Sequence, residues 1–175
     1  MIIRLATKHD ANEIAKVQVE SWNTTYPGIV PQSYLDSLDV KKREKVWGQA
    51  AQNQPMFVAE LNGEVVGFAI GGENRDKDTY PDFDGELYAI YSYQHVQGQG
   101  IGRALFEAAA GNISARGFKK MVVAVLKDNP TVNFYKHMGG YFLGEEVITI
   151  DGVEIAESFY GYDNIRKFNT GDDTE

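Results

Sequence analysis

The chain has 175 residues, a net charge of −8 and no cysteine. Its length suits one domain over 1–168, with a polar, acidic tail at 169–175 expected to be disordered. The missing cysteine excludes a disulfide framework, a thiolate nucleophile and a cysteine-based metal site, and the negative charge argues against a nucleic-acid partner.

No apolar run is long enough to span a bilayer, and the N-terminus (MIIRLATKHD) lacks the regions of a signal peptide, so no membrane partner and a cytoplasmic location are expected. Residues 2–5 read as a short apolar strand. Asp10 then caps an amphipathic helix carrying Ile14, Val17 and Trp22, with Glu13 at the capping-box spacing. Tyr26-Pro27-Gly28 reads as a turn, followed by helical pieces near 32–38 and 41–51. Asn62-Gly63 is a hairpin signal between strands over 56–60 and 65–71. The polar stretch 72–85 is a loop. A strand over 86–93 leads into a helix of about 14 residues after Gly100, then a strand over 119–126. Pro130 opens a short helix that ends at Met138, with Gly139-Gly140 as its stop. Asp151-Gly152 joins strands over 147–150 and 153–162. This succession describes a mixed α/β sheet with helices on both faces.

The richest segment runs from Glu86 to Phe106, ELYAIYSYQHVQGQGIGRALF. A strand, a glycine turn (Gln97, Gly98, Gln99, Gly100, Ile101, Gly102) and a helix start make an anion site, because the first helical N–H groups have no internal partner. A Walker-type loop would need Lys and then Ser or Thr after its last glycine, where Arg103-Ala104 stand. A dinucleotide fingerprint from Gly98 would need glycine in place of Arg103. What remains is Gln-x-x-Gly-x-Gly at Gln97, Gly100 and Gly102, or a bare strand-to-helix turn.

That pattern resembles the GNAT superfamily of N-acetyltransferases, in which it wraps the pyrophosphate of acetyl-CoA. A second segment, Asn129 through Phe134-Tyr135 to Gly139-Gly140, resembles the family's Asn…Phe-Tyr…Gly stretch. There Tyr135 follows Asn129, which the resemblance makes a cofactor contact, by six positions where seven is usual, and the closing aromatics are delayed to Tyr141 and Phe142, which bears on Asn129 more than on Tyr135. The resemblance implies a mixed, mostly antiparallel twisted sheet, acetyl-CoA as acyl donor and a primary amine of a small molecule or peptide as acceptor.

Acetyl transfer needs a neutral amine, and an alkyl amine such as that of lysine has a pKa of about 10.4, so a base must take a proton. By resemblance the base is Glu86, eleven residues before Gln97. In a regular strand Glu86, Tyr88, Ile90 and Ser92 would share a face. The resemblance also makes Tyr135 the acid that reprotonates the thiolate. Backbone amides near Tyr91 and Ser92 would hold the oxyanion, and the stretch Ile90–Ser92 would pair with the pantetheine arm. Arg103 is read either as a phosphate contact or as a surface arginine. Glu20, Trp22 and Tyr26 lie where the family covers its acceptor, although Trp22 also suits a core position. The carboxylates Asp76, Asp78, Asp82 and Asp84 are either solvated or presented to a cationic acceptor. A coenzyme A-binding sensor without turnover, or a protein N-acetyltransferase, are the alternatives. A homodimer is expected through an edge strand such as 153–162.

Overall fold

A computed structural model describes residues 1–171. Its strands are β1 (Ile2–Leu5), β2 (Met56–Leu61), β3 (Glu64–Glu73), β4 (Gly85–Ser92), β5 (Met121–Leu126), β6 (Tyr141–Ile150) and β7 (Val153–Tyr162). Its helices are α1 (Ala11–Thr25), α2 (Gln32–Asp36), α3 (Val40–Asn53), α4 (Ile101–Ala115) and α5 (Val132–His137). The strands form one sheet in the order β1-β2-β3-β4-β5-β7-β6, in which only the β4–β5 pair is parallel. The expected tail lies partly outside the described residues. Of it, Asn169 closes a turn onto Arg166, and Gly171 donates to the Asn169 side chain.

Helices cover both faces, as the apolar spacing requires. On one face Ile14 and Val17 of α1 are fully buried against Met56, Val58, Phe68 and Ile70, with Trp47 of α3 alongside. On the other, Ile101, Leu105, Phe106, Ala109, Ala110 and Ile113 form the buried stripe of α4, packed on Leu87, Val123 and Val125. Burying a side chain such as Leu105 or Phe106 contributes about 1.5–3 kcal/mol.

Two features of the sheet create the site. The first is a wedge: β4 pairs with β5 only over Gly85–Leu87 against Met121–Val123, after which the two strands part. The second is a bulge. Ile70 faces Ala89 while Gly71 faces Leu87, which leaves Tyr88 as an extra residue on β4. A Cβ on Gly71 would lie 2.5 Å from the Glu86 carbonyl oxygen, so glycine is required where the bulged strand leans in.

The bulge corrects the expected alternation. Residues opposite one another in a ladder share a face. Glu86 opposes Gly72 on β3, and Ala89 and Tyr91 oppose Ile70 and Phe68. Glu86, Ala89 and Tyr91 therefore face α1, whereas Leu87, Ile90 and Ser92 face α4. Glu86 and Ile90 are on opposite faces because one residue has been inserted between them.

Three further readings are corrected. Asp10 makes no side-chain cap for α1. It closes a capping box on Thr7 instead, because Arg4 of β1 forks its two oxygens at 2.9 Å each and the Thr7 N–H donates at 2.7 Å. The strand before Asp151-Gly152 begins at Tyr141, six residues earlier than position 147, since Gly140 leads straight into pairing with β7. As a result β7 is interior, flanked by β5 and β6, and β6 is the edge in place of 153–162.

Candidate active site

The parted strands open a cleft of about 690 Å³ that runs through the wedge from one face of the sheet to the other. On the α4 side it is lined by Gln97, Gly98, Gly100, Gly102, Arg103, Phe134, Tyr135 and Met138. On the α1 side it is lined by Trp22, Tyr26, Arg75, Ile148, Ile150 and Glu157. Beyond Leu87 and Val123, the facing edges of Tyr88–Ser92 and Ala124–Leu126 have no strand between them. Such edges present main-chain donors and acceptors to an extended, amide-bearing ligand. The pantetheine arm of coenzyme A is a group of that kind, and the site fits it.

At the α4 end, Gly98 and Gly100 adopt φ of +76° and +82°, and Gly100 is the N-cap of α4. This left-handed turn and the first turn of α4, whose N–H groups have no partner within the helix, border the cleft at Gly98, Gly100, Gly102 and Arg103, which suits a pyrophosphate. Gln99 and Ile101 are not on the wall: the Gln99 amide donates to the His95 carbonyl at 3.4 Å, and Ile101 is buried in the core. Arg103 reaches the cleft while pairing with Glu107 at 2.9 Å, one turn along the exposed face of α4.

Tyr135 is buried, its ring stacked edge-on against Phe134 at 5.4 Å. Its carbonyl accepts the Tyr162 hydroxyl at 2.7 Å, which fixes the short α5 on the sheet. Phe134 and Tyr135 both line the cleft, so neither is confined to the core. Among the described residues no group hydrogen-bonds the Tyr135 hydroxyl, and burial pushes it well above the ordinary phenol range. The side chain therefore keeps its proton and is a donor. Asn129 lines the same space, but its amide donates to the Tyr26 hydroxyl at 2.8 Å and its oxygen accepts from Thr131 N–H at 2.9 Å.

Between the two ends, Ile90, Tyr91 and Ser92 of β4 line the cleft, and the Ser92 carbonyl accepts the Ser21 hydroxyl at 3.1 Å. Trp22 and Tyr26 form an aromatic wall with ring centroids 4.5 Å apart, and Glu20 is exposed and off the wall. Glu86 is 9% exposed and is held by Arg75, whose Nε donates at 2.7 Å; the guanidinium also lies 4.0 Å over the Tyr88 ring. Arg75 lines the cleft in front of it and Glu86 does not. In the loop, Asp84 is spent on the backbone N–H groups of Lys119 and Lys120, and Asp76 on Thr79.

Arg75 and Glu157 were not singled out from the sequence. A signal for Glu157 exists: with Ile155 and Phe159 it forms an alternating set whose other two members are buried. A carboxylate on the apolar face of a strand is a marked position. Burial, then Glu146 and Glu86, raise its carboxyl above the usual range, with Arg75 acting in the opposite sense. Among the described residues no three His, Asp or Glu side chains come close enough to hold a metal ion, and no helix is long and apolar enough to cross a membrane.

Comparison with known proteins agrees with this geometry. The sequence profile of the Acetyltransferase (GNAT) family matches residues 15–140. The uncharacterized N-acetyltransferase YuaI of Bacillus subtilis (strain 168) is 36% identical over 168 residues, 96% of each chain. An N-acetyltransferase from Staphylococcus aureus Mu50 shares the fold with a TM-score of 0.71 at 23% identity, over 93% of this chain and 97% of that one. So does yncA from Salmonella typhimurium, solved with its cofactor acetyl-CoA, with a TM-score of 0.72 at 22% identity over 93% of each.

Proposed function

The chain belongs to the GNAT family of N-acetyltransferases, with acetyl-CoA as acyl donor, and we propose that it transfers the acetyl group directly to a primary amine of a small molecule or peptide. The observation that carries this reading is the through-sheet cleft, with a phosphate-type glycine turn at one end and a carboxylate, Glu157, at the other.

Bound acetyl-CoA supplies an activated thioester. Gln97, Gly98, Gly100, Gly102 and the α4 N-terminus would hold its pyrophosphate, with Gln99 and Ile101 shaping the turn and Arg103 adding charge. The open edge of β4 at Ile90, Tyr91 and Ser92 would bind the pantetheine amides. Its N–H groups near Tyr91 would stabilise the oxyanion, which is worth several kcal/mol when donors are fixed in advance. Tyr135 would give the leaving thiolate a proton. Glu86, with its oxygens turned to Arg75, would take an amine proton through a water. Asn129 would act through Tyr26, holding the aromatic wall over the acceptor, with Trp22 beside it and Glu20 at the outer rim.

The engagement of Glu86 by Arg75 favours one second reading, a coenzyme A-binding module without turnover. Thiol release from acetyl-CoA, measured with pooled amino acids, polyamines, aminoglycosides and short peptides, separates the two. Release that depends on one pool supports transfer. Silence with every pool, alongside coenzyme A binding, would favour the module. A protein without cysteine adds no thiol of its own.

A further inference from the structure

Amine acetylation has two protons to remove and one to supply. The acceptor arrives as an ammonium ion and must lose a proton before its nitrogen can attack. After the N–C bond forms, the nitrogen loses a second. The C–S bond then breaks, and the thiolate takes one proton from the tyrosine. Glu86 acting through water accounts for one loss only.

The cleft wall itself carries a different carboxylate, Glu157. Glu157 opposes Leu126 on β5 and Glu146 on β6. Glu86 opposes Val122 on β5. Val122 and Leu126 are four residues apart on one strand and so share a face, which places Glu86, Glu146 and Glu157 together on the acceptor side of the sheet. Of the three, Glu157 is on the cleft wall, half-buried, and shares that wall with Ile148, Ile150 and Trp22. No described residue pairs with it in a salt bridge, whereas the nearby cation Arg75 is committed to Glu86. A like-charge pair placed directly opposite in a ladder destabilises the sheet. Glu146 against Glu157 is therefore a structural cost that a visiting cation would relieve.

We propose that Glu157 is a further catalytic residue, the carboxylate that meets the acceptor's ammonium group and takes its first proton. It rests on the acetyltransferase reading above. Glu86 and its water then take the second proton from the adduct, one proton replaces that lost by Tyr135, and the other leaves to solvent with product. The cleft suits a primary amine on an apolar or aromatic body, because Glu157 shares its wall with Trp22, Tyr26, Ile148 and Ile150. The titratable or charged groups that bear on Glu157 are Glu146 from β6, Glu86 from β4 and Arg75 from the loop before β4, and Tyr26 and Tyr91 feel its charge in turn.

The test compares wild type with Glu157→Gln across pH, using the most active member of a set comprising phenethylamine, spermidine, lysine and an alanine-starting peptide. At pH 7 the variant is expected to lose about 100-fold in kcat/KM, and near pH 10, where solvent deprotonates the amine, the deficit should shrink below about 5-fold. Coenzyme A affinity, read by calorimetry, should not change, which separates this role from a folding defect. An equal loss at every pH, or no loss, would overturn the assignment while leaving the acetyltransferase reading intact. A wild type inert towards the whole set would overturn that reading and this one with it.

Discussion

The side-chain amide of Asn129 donates to the Tyr26 hydroxyl at 2.8 Å, joining positions 103 apart in the chain inside the cleft. This bond ties the loop after β5 to the end of α1 and so fixes the Trp22–Tyr26 aromatic wall of the cleft. Burial holds the Tyr26 phenol above its ordinary range, so it stays neutral and accepts. Tyr26→Phe strands the buried amide, at a cost of about 1–3 kcal/mol. Calorimetric melting should show Tm falling by about 2–4 °C for each kcal/mol lost. A Tm equal to wild type would show that Asn129 finds another partner.

Arg4 holds the carboxyl of Asp10 down to about 2, mainly through their hydrogen bonds. A depressed carboxyl contributes stability above its unfolded pKa of about 3.9, and that contribution is lost as pH falls towards about 2. Asp10→Asn should therefore lower stability at pH 7 by about 1–3 kcal/mol and flatten part of the acid decline between about pH 4 and about pH 2. Urea unfolding at a series of pH values measures both effects. Parallel curves for the two proteins would contradict the assignment.

Tyr135→Phe keeps the ring that packs on Phe134 and removes only the hydroxyl. If that hydroxyl supplies the thiolate's proton, kcat should fall by about 10²-fold or more while coenzyme A affinity holds. Steady-state kinetics with parallel calorimetry reads both. A fall in affinity with kcat unchanged would make Tyr135 a binding residue instead.

Glu146 stands directly opposite Glu157 and helps to raise its carboxyl. Glu146→Gln removes that repulsion. Stability should rise by about 0.2–1 kcal/mol, and the ascending limb of the kcat/KM profile should move to lower pH. A limb that stays in place would mean that Glu146 does not act on the group that titrates there.

The chain was legible wherever periodicity and turn chemistry acted locally. The α4 stripe, the Asn62-Gly63 and Asp151-Gly152 hairpins and the glycine turn before α4 all follow from spacing. What escaped depends on residues far apart in the chain. The bulge at Tyr88 arises from packing against Gly71, and alternation within β4 alone cannot locate it. The capture of Asp10 by Arg4 overrides a local capping pattern, and the capture of Glu86 by Arg75 needs a loop to fold back on a strand. Glu157 was readable as a carboxylate on an apolar strand face. Its place in the cleft depends on β5 lying between β4 and β7, which no local pattern encodes.

The most direct measurement follows both products of one reaction: thiol released from acetyl-CoA and acetylated amine by mass spectrometry, in the same tube over time. Direct transfer predicts that the two rise together, mole for mole, and that neither rises without an acceptor. Thiol release without acetylated amine would mean that water is the acceptor, and would contradict the account.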